Sequence, residues 1–154
     1  MTRRMVRSIP FAMATVLLIA TGGAAQSSNA PAVLGAWTAE RYEMAGGGEH
    51  EVQGRIFFTA RDWQVLFFVI GADGTARRGS AEGGTYTLDG EQLVFTHLFN
   101  LSVGEEMRGL PAAALRMTSR SPEGAPLEPT EIDVEGDVLT FHFPSGNRMI
   151  FRRR

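Results

Sequence analysis

Short runs of alternating apolar and polar residues, separated by glycine-containing turns, are the feature that most constrains the fold of this chain. Between residues 34 and 152, no stretch of twelve residues has the spacing of an amphipathic helix. Side chains alternate between the two faces of a β-strand, whereas a helix repeats its apolar face every three to four residues. The pattern therefore predicts an all-β domain.

The predicted strands are short and follow one another through tight turns. The Asp89-Gly90 pair is the strongest hairpin signal, because a two-residue turn needs the positive φ angles that this pair accepts. A single open sheet would expose an apolar face to water, so the strands must close into a barrel or stack as a sandwich. Successive hairpins favour an antiparallel up-and-down β-barrel of about eight or nine strands. The predicted strands are residues 34–44, 54–60, 63–70, 84–88, 92–103, 112–120, 130–134, 138–143 and 148–152, with the strand order between Gly104 and Pro129 left open.

The N-terminus has the three-part layout of an export signal. Basic residues occur between Thr2 and Arg7, an apolar run spans Phe11 to Ala20, and small residues lead to Ala25. We expect cleavage after Ala25, because small residues precede signal-peptidase sites. The apolar run is shorter than the roughly 20 residues that span a bilayer, which argues against a stable membrane anchor. The sequence therefore predicts a signal peptide at 1–25, a flexible linker at 26–32, a domain at 33–154 and a periplasmic or secreted protein; the general and twin-arginine export routes both stay open.

Charge and cysteine content exclude several classes of function. Loss of Arg3, Arg4 and Arg7 with the signal peptide would change the formal charge from −2 to −5. Nucleic-acid binding needs clustered positive charge, so no nucleic-acid partner is predicted. The absence of cysteine excludes disulfides, a thiol nucleophile and a lipid anchor on cysteine.

Four fragments carry a family resemblance. The opening Leu34-Gly35-Ala36-Trp37 is similar to the Gly-x-Trp signature of the first lipocalin strand. Together, the fragments resemble the bacterial lipocalin-like domains, which are calycin-type β-barrels. The resemblance implies a central cavity for a small hydrophobic molecule, and it implies that Trp37 packs beneath Arg152, or beneath Arg148 in another register. The other three fragments are residues 54–59, residues 84–90, and residues 136–140 with Phe151-Arg152.

Alternation along the predicted strands indicates which side chains would contact a ligand. In the fifth strand, Phe95, His97 and Phe99 share one face, which should be the barrel interior. His97 would hydrogen-bond a polar end of the ligand, would be a core histidine satisfied by protein or water, or would act as a general base. Arg41 is a second candidate for orienting a polar end. The predicted contact residues are His97, Phe95, Phe99, Phe67, Ile56, Phe58 and Arg41.

No catalytic motif, cofactor motif or metal-ligand spacing is present. His50 lies among acidic residues and His142 alternates with Phe141 and Phe143, so His142 should face solvent. Convergence of the three histidines on zinc or haem is the remaining metal alternative. We therefore predict a binding protein without metal or cofactor, with a cofactor-free isomerase or cyclase as the enzymatic alternative.

The third predicted strand is apolar on both faces. Trp63, Val65, Phe67 and Val69 share one face, and Leu66, Phe68 and Ile70 share the other. A barrel strand should be polar on its outer side, so the outer set needs cover from another segment of the chain or from a second copy. A homodimer through Leu66, Phe68 and Ile70 is accordingly expected in one alternative, in which the protein is an interaction module with a solid core.

Overall fold

A computed structural model describes residues 30–153. The predicted signal peptide lies outside the described residues, as does the linker up to residue 29, whereas the last linker residues fall in a helical turn. The elements are α1 (Ala30–Val33), β1 (Gly35–Glu43), β2 (Glu49–Phe58), β3 (Asp62–Ile70), β4 (Ala76–Asp89), β5 (Gln92–Gly104), β6 (Ala113–Ser119), β7 (Leu127–Glu135), β8 (Val138–His142) and β9 (Arg148–Arg153), with a 3₁₀ turn at Pro122–Gly124 between β6 and β7.

All strand pairings are antiparallel, and the sheet closes on itself. The order is β4-β3-β2-β1-β9-β8-β7-β5-β6, and a further pairing joins β4 to β5. Eight strands thus form the barrel, while β6 is an additional strand. One half of β5, Gln92–Thr96, pairs with β7, whereas the other half, from Phe99 to Gly104, pairs with β6. The predicted antiparallel barrel is confirmed.

The closed end of the barrel is built around Trp37. Its side chain is fully buried, and its indole Nε1 donates a hydrogen bond to the carbonyl oxygen of Val33, 2.8 Å away. The chain turns from α1 into β1 at Gly35, whose φ of +106° is a conformation that side-chain-bearing residues rarely adopt. Helix α1 therefore plugs this end of the barrel, and Trp37 holds it in place.

Arg153, and not Arg152, is the cation that packs on Trp37. Its guanidinium carbon lies 4.2 Å from the centroid of the Trp37 ring, whereas Arg152 is exposed and bonds Glu40 at 2.7 Å. Trp37 and Arg153 are directly paired across β1 and β9, and paired residues point to the same face of a sheet. Arg152 is paired with Thr38 and lies on the outer face. The predicted contact between Trp37 and Arg152 is therefore wrong, because the next residue in the chain, Arg153, makes it.

A β-bulge in β5 reverses the side chains that follow His97. Gly84 pairs with His97 and Gly83 pairs with Phe99, so Leu98 is an extra residue in β5. An extra residue in one strand moves the next side chain to the opposite face. Phe99 consequently lies on the outer face and is 45% exposed, which corrects its predicted interior position.

The largest differences from the predicted strand boundaries are at the beginnings of β2 and β4. β2 begins at Glu49 and not at Gly54, and β4 begins at Ala76 and not at Gly84. The first half of β4 is rich in arginine, glycine and serine, so apolar alternation does not mark it. None of the helices within residues 30–153 is both long and apolar enough to cross a bilayer.

Candidate functional site

The barrel contains a cavity of about 340 Å³ that is open to solvent at one end. Small-molecule sites usually measure about 300–1,000 Å³, so this cavity is near the lower limit. It lies towards the end of the barrel that carries the turns after β1, β3, β5 and β8, opposite the end that α1 plugs. The apolar residues around it include Ile56, Trp63, Val65, Phe67, Val69, Phe95, Phe141, Phe143, Met149 and Phe151.

Four of the predicted contact residues line the cavity, namely Ile56, Phe67, Phe95 and His97. Phe58 is buried deeper and belongs to the packed core, where its ring stacks on Phe95 at a centroid distance of 6.3 Å. Phe99 lies outside the barrel.

The prediction for Arg41 is also corrected. This side chain is 48% exposed and forms ion pairs with Glu43 at 3.5 Å and with Glu49 at 3.9 Å. It is directed away from the interior because a bulge shifts the register of β1 between Ala39 and Arg41.

One wall of the cavity is polar. It is formed by the adjacent strands β4, β5 and β7, which meet where the barrel closes, whereas most of the apolar lining comes from β2, β3, β8 and β9. The residues of this polar wall are Arg78, Ser80 and Glu82 of β4, His97 and Ser102 of β5, and Glu128 of β7. A ligand in this cavity would therefore meet aromatic and aliphatic groups on one side and charged groups on the other.

His97 bridges two carboxylates within the polar wall. Its Nδ1 lies 3.0 Å from Glu82 Oε2, and its Nε2 lies 2.9 Å from Glu128 Oε2. Hydrogen bonds to Glu128 and Glu82 raise the pKa of His97 to about 9, although burial opposes this rise. The imidazole is therefore protonated at neutral pH, and each ring nitrogen donates to a carboxylate.

The carboxylate of Glu82 is held in its charged form by its neighbours. Burial raises the pKa of Glu82, but hydrogen bonds from His97 and Ser80 outweigh burial, so the pKa is lowered. The hydroxyl of Ser80 donates to Glu82 Oε1 at 2.7 Å. Glu82, His97 and Glu128 therefore form one ion-paired network, which we call the carboxylate–imidazolium network.

Aromatic rings flank this network. The rings of Trp63 and His97 meet edge to face with a centroid distance of 5.1 Å. Tyr42 lines the cavity as well, and its hydroxyl oxygen accepts a hydrogen bond from Asn147 at 2.7 Å. Burial raises the pKa of Tyr42, so the phenol keeps its proton and can donate it to a ligand.

The connection between β5 and β6 lies at the open end of the barrel. We call residues Glu105–Ala112 the mouth segment. Nη1 of Arg78 donates to the carbonyl oxygens of Glu105 at 2.5 Å and Pro111 at 2.7 Å, and so holds both ends of the segment. His50 Nε2 lies 2.9 Å from the carbonyl oxygen of Arg108, which links the segment to β2 on the other side. Leu110, in the middle of this segment, lines the cavity.

The three histidines lie in separate places. His97 is inside the barrel, His50 contacts the mouth segment, and His142 pairs with Asp133 at 2.9 Å on the outer face of β8. Their convergence on one metal ion is therefore excluded by geometry. His142 does point away from the core, as its alternation with Phe141 and Phe143 predicts.

Most residues of the polar wall are not predicted by the sequence pattern. Arg78, Ser80 and Glu82 lie in the unpredicted first half of β4, and Glu128 precedes the predicted seventh strand. The signal that could have located them is the i, i+2 spacing of Arg78, Ser80 and Glu82, which is the period of one strand face.

Comparisons with known proteins are limited to distant structures. No protein-family model matches the chain, and no curated protein matches it. The chain is similar to a crystal structure of a lipocalin-like protein from Bacteroides uniformis ATCC 8492, with 17% identity, a TM-score of 0.48, and coverage of 79% of this chain and 98% of that chain. It is also similar to a structure of an uncharacterized protein from Bacteroides eggerthii DSM 20697, with 12% identity, a TM-score of 0.46, and coverage of 79% and 99%. The closed eight-stranded barrel of this chain is itself lipocalin-like, as the sequence resemblance predicts.

Proposed function

We propose that this protein binds a small molecule with an apolar body and a polar end inside the barrel. The observation that carries the proposal is the cavity of about 340 Å³ with one apolar wall and one charged wall. A barrel packed solid with side chains would leave no such space.

The apolar wall supplies the affinity in this proposal. Each ~100 Å² of apolar ligand surface that leaves water contributes about 2.5 kcal/mol. Phe95, Phe141 and Phe151 are neighbouring rings, with centroid distances of 5.5 Å for the first pair and 4.9 Å for the second. These rings form a rigid surface, so a bound apolar group orders few additional side chains.

The polar wall supplies the orientation. Both nitrogens of His97 already bond carboxylates, so His97 positions Glu128 and does not itself contact the ligand. Only one carboxylate oxygen of Glu128, Oε2, bonds His97. We assign the other oxygen, together with the Tyr42 hydroxyl, to the polar end of the ligand. A ligand with a hydroxyl or amine donor fits this arrangement better than a carboxylate does, because Glu128 would repel an anion.

Calorimetric titration with three ten-carbon probes tests this proposal. We expect decan-1-ol and decylamine to bind and decanoate to bind at least tenfold more weakly. Tighter binding of decanoate would contradict the assigned polar end, and the absence of binding by all three probes would contradict the proposed function.

We further propose that binding takes place outside the cytoplasm, because residues 1–25 have the composition of an export signal. N-terminal sequencing of the protein from its own cells is expected to begin at Gln26. Recovery of full-length protein from the cytoplasm alone would contradict export.

The enzymatic alternative has less support. A general base must be able to accept a proton at the working pH, whereas His97 is protonated at neutral pH. We accordingly do not assign it a role in proton abstraction.

A further inference from the structure

The outer face of the barrel carries a continuous apolar surface over β3, β5 and β6. The exposed fractions of its large side chains range from 41% for Phe68 to 74% for Met117. We call this surface the outer apolar patch, and its residues are Leu66, Phe68, Phe99, Leu101, Val103, Leu115 and Met117.

Strand register places these side chains side by side. Leu66 pairs with Ala81, Ala81 with Leu101, and Leu101 with Met117, which makes one row across four strands. Paired residues share a face, so the row lies entirely outside the barrel. A parallel row runs from Phe68 through Gly79 to Val103.

The patch is flat because β4 contributes only small residues to it. A Cβ atom at Gly79 would lie 3.1 Å from the Phe68 ring, and one at Gly83 would lie 2.5 Å from the Phe99 ring. Both phenylalanine rings therefore lie over the backbone of β4 instead of projecting from the sheet.

Ile70 does not belong to this surface, although its alternation with Leu66 and Phe68 predicts that it should. It is buried, and the register shifts between Val69 and Ile70 at the end of β3. No segment within residues 30–153 covers Leu66 or Phe68, so the expected cover from the same chain is absent there.

The size of the patch matches that of a dimer interface. Seven large side chains of about 200 Å² each, roughly half exposed, present on the order of 700 Å² of apolar surface, whereas the largest patch on a typical monomer is about 300–600 Å². A standard interface buries about 800 Å² on each partner. The patch alone therefore approaches the area that stable association requires.

We propose that the outer apolar patch packs face to face against the same patch of a second copy, around a two-fold axis. A flat and uncharged surface is complementary to itself, and two sheets packed in this way would bury the exposed rows as the halves of a β-sandwich do. The formal charge of −5 that remains without residues 1–25 disfavours an anionic lipid surface as the occupant.

Sedimentation velocity over a range of protein concentrations tests the proposal, with Leu101→Glu as the variant and Thr87→Glu as its control. Leu101 is at the centre of the patch, while Thr87 is exposed on β4 and outside the patch. We expect the wild type and Thr87→Glu to dimerise. Leu101→Glu should raise the dimer dissociation constant at least ~100-fold, because the two-fold axis introduces the buried charge twice.

A monomeric wild type at ~1 mM, or equal dimerisation by Leu101→Glu, would overturn the proposal. Binding of the monomeric wild type to phosphatidylcholine vesicles, lost in Leu101→Glu, would also overturn it and would assign the patch to lipid. Because the chain contains no cysteine, Leu101→Cys, at the centre of the patch and therefore next to the two-fold axis, gives an independent measurement that does not rely on loss of folding. We expect it to form an intermolecular disulfide on oxidation, and we expect Thr87→Cys to remain monomeric.

Discussion

Nε2 of His97 lies 2.9 Å from a carboxylate oxygen of Glu128, and this contact joins β5 to β7 inside the barrel. Through Nδ1 the same ring reaches Glu82 of β4 at 3.0 Å. A single protonated side chain therefore ties together the strands at which the sheet closes. Its charge state should affect both the stability of the barrel and the shape of the cavity.

Deprotonation of His97 should lower the stability of the protein at alkaline pH. Its folded-state pKa of about 9 is raised above the ordinary value of 6.5, so its contribution is fully present below pH 6.5 and is lost as the pH rises through 9. The free energy of unfolding should decrease over this window by at most about 1.4 kcal/mol per pH unit. Urea unfolding measures the free energy of unfolding of the wild type and of His97→Gln. We expect the difference between these two free energies to decrease from about pH 6.5 to about pH 9.5.

The matched control is His142→Gln, which removes a partly exposed histidine from the outer face of β8. We expect its difference from the wild type to stay small compared with that of His97→Gln over the same pH range. A His97→Gln difference that did not change with pH would contradict a charged His97 in the folded protein.

Replacement of Arg153 should destabilise the protein more than replacement of the adjacent Arg152. Arg153→Met removes the contact with the Trp37 ring and hydrogen bonds to the carbonyl oxygens of Ala32 and Leu34. We expect a loss of about 1–2 kcal/mol in the free energy of unfolding. Arg152→Met removes an exposed ion pair with Glu40 and should cost clearly less. Equal losses in the two variants, measured by urea unfolding, would contradict the assigned cation.

The barrel itself could be predicted from the sequence, because residue alternation reports which face of a strand is buried. This pattern alone predicts that Val65, Phe67 and Phe95 lie inside the barrel, and all three line the cavity. Alternation does not report the position of a bulge. Because of the extra residue Leu98, Phe99 lies on the outer face and not in the predicted interior. The register between β1 and β9 pairs Trp37 with Arg153, and not with the predicted Arg152.

The polar wall could not be predicted for a different reason. Glu82 and Glu128 are separated from His97 by 15 and 31 residues, and they meet only because β4, β5 and β7 are neighbours in the sheet. Strand order is set by the closure of the whole barrel and not by local sequence. A charged residue that faces the interior also breaks the pattern from which strands are recognised.

The close pairing of β4 with β5, which closes the barrel, requires a glycine at position 84. A Cβ atom at this position would lie 1.9 Å from the carbonyl oxygen of Thr96, at the bulge between β4 and β5. Gly84→Ala should therefore lower the free energy of unfolding by about 1–3 kcal/mol. Gly124→Ala is the control, since its Cβ would meet only Ser121 Oγ at 3.9 Å, and it should change stability by less than ~0.5 kcal/mol. Equal melting temperatures of both variants would contradict this account.

Hydrogen bonds from Arg78 should limit the mobility of the mouth segment. Arg78→Met removes the hydrogen bonds to the carbonyl oxygens of Glu105 and Pro111, so amide hydrogen exchange should accelerate in the mouth segment and stay unchanged in β8. Arg116→Met is the control, because Arg116 is exposed on β6. Unchanged exchange in Arg78→Met would show that other contacts hold the segment.

The central claim is that the cavity holds a small molecule, and native mass spectrometry of protein purified from its own cells tests it most directly. Val65→Trp fills the cavity, whereas Gln64→Trp adds the same ring to the outer face of the same strand. We predict an additional bound mass on the wild type and on Gln64→Trp, and its loss from Val65→Trp. A wild type that carries no bound mass, or a bound mass that Val65→Trp retains, would contradict the claim.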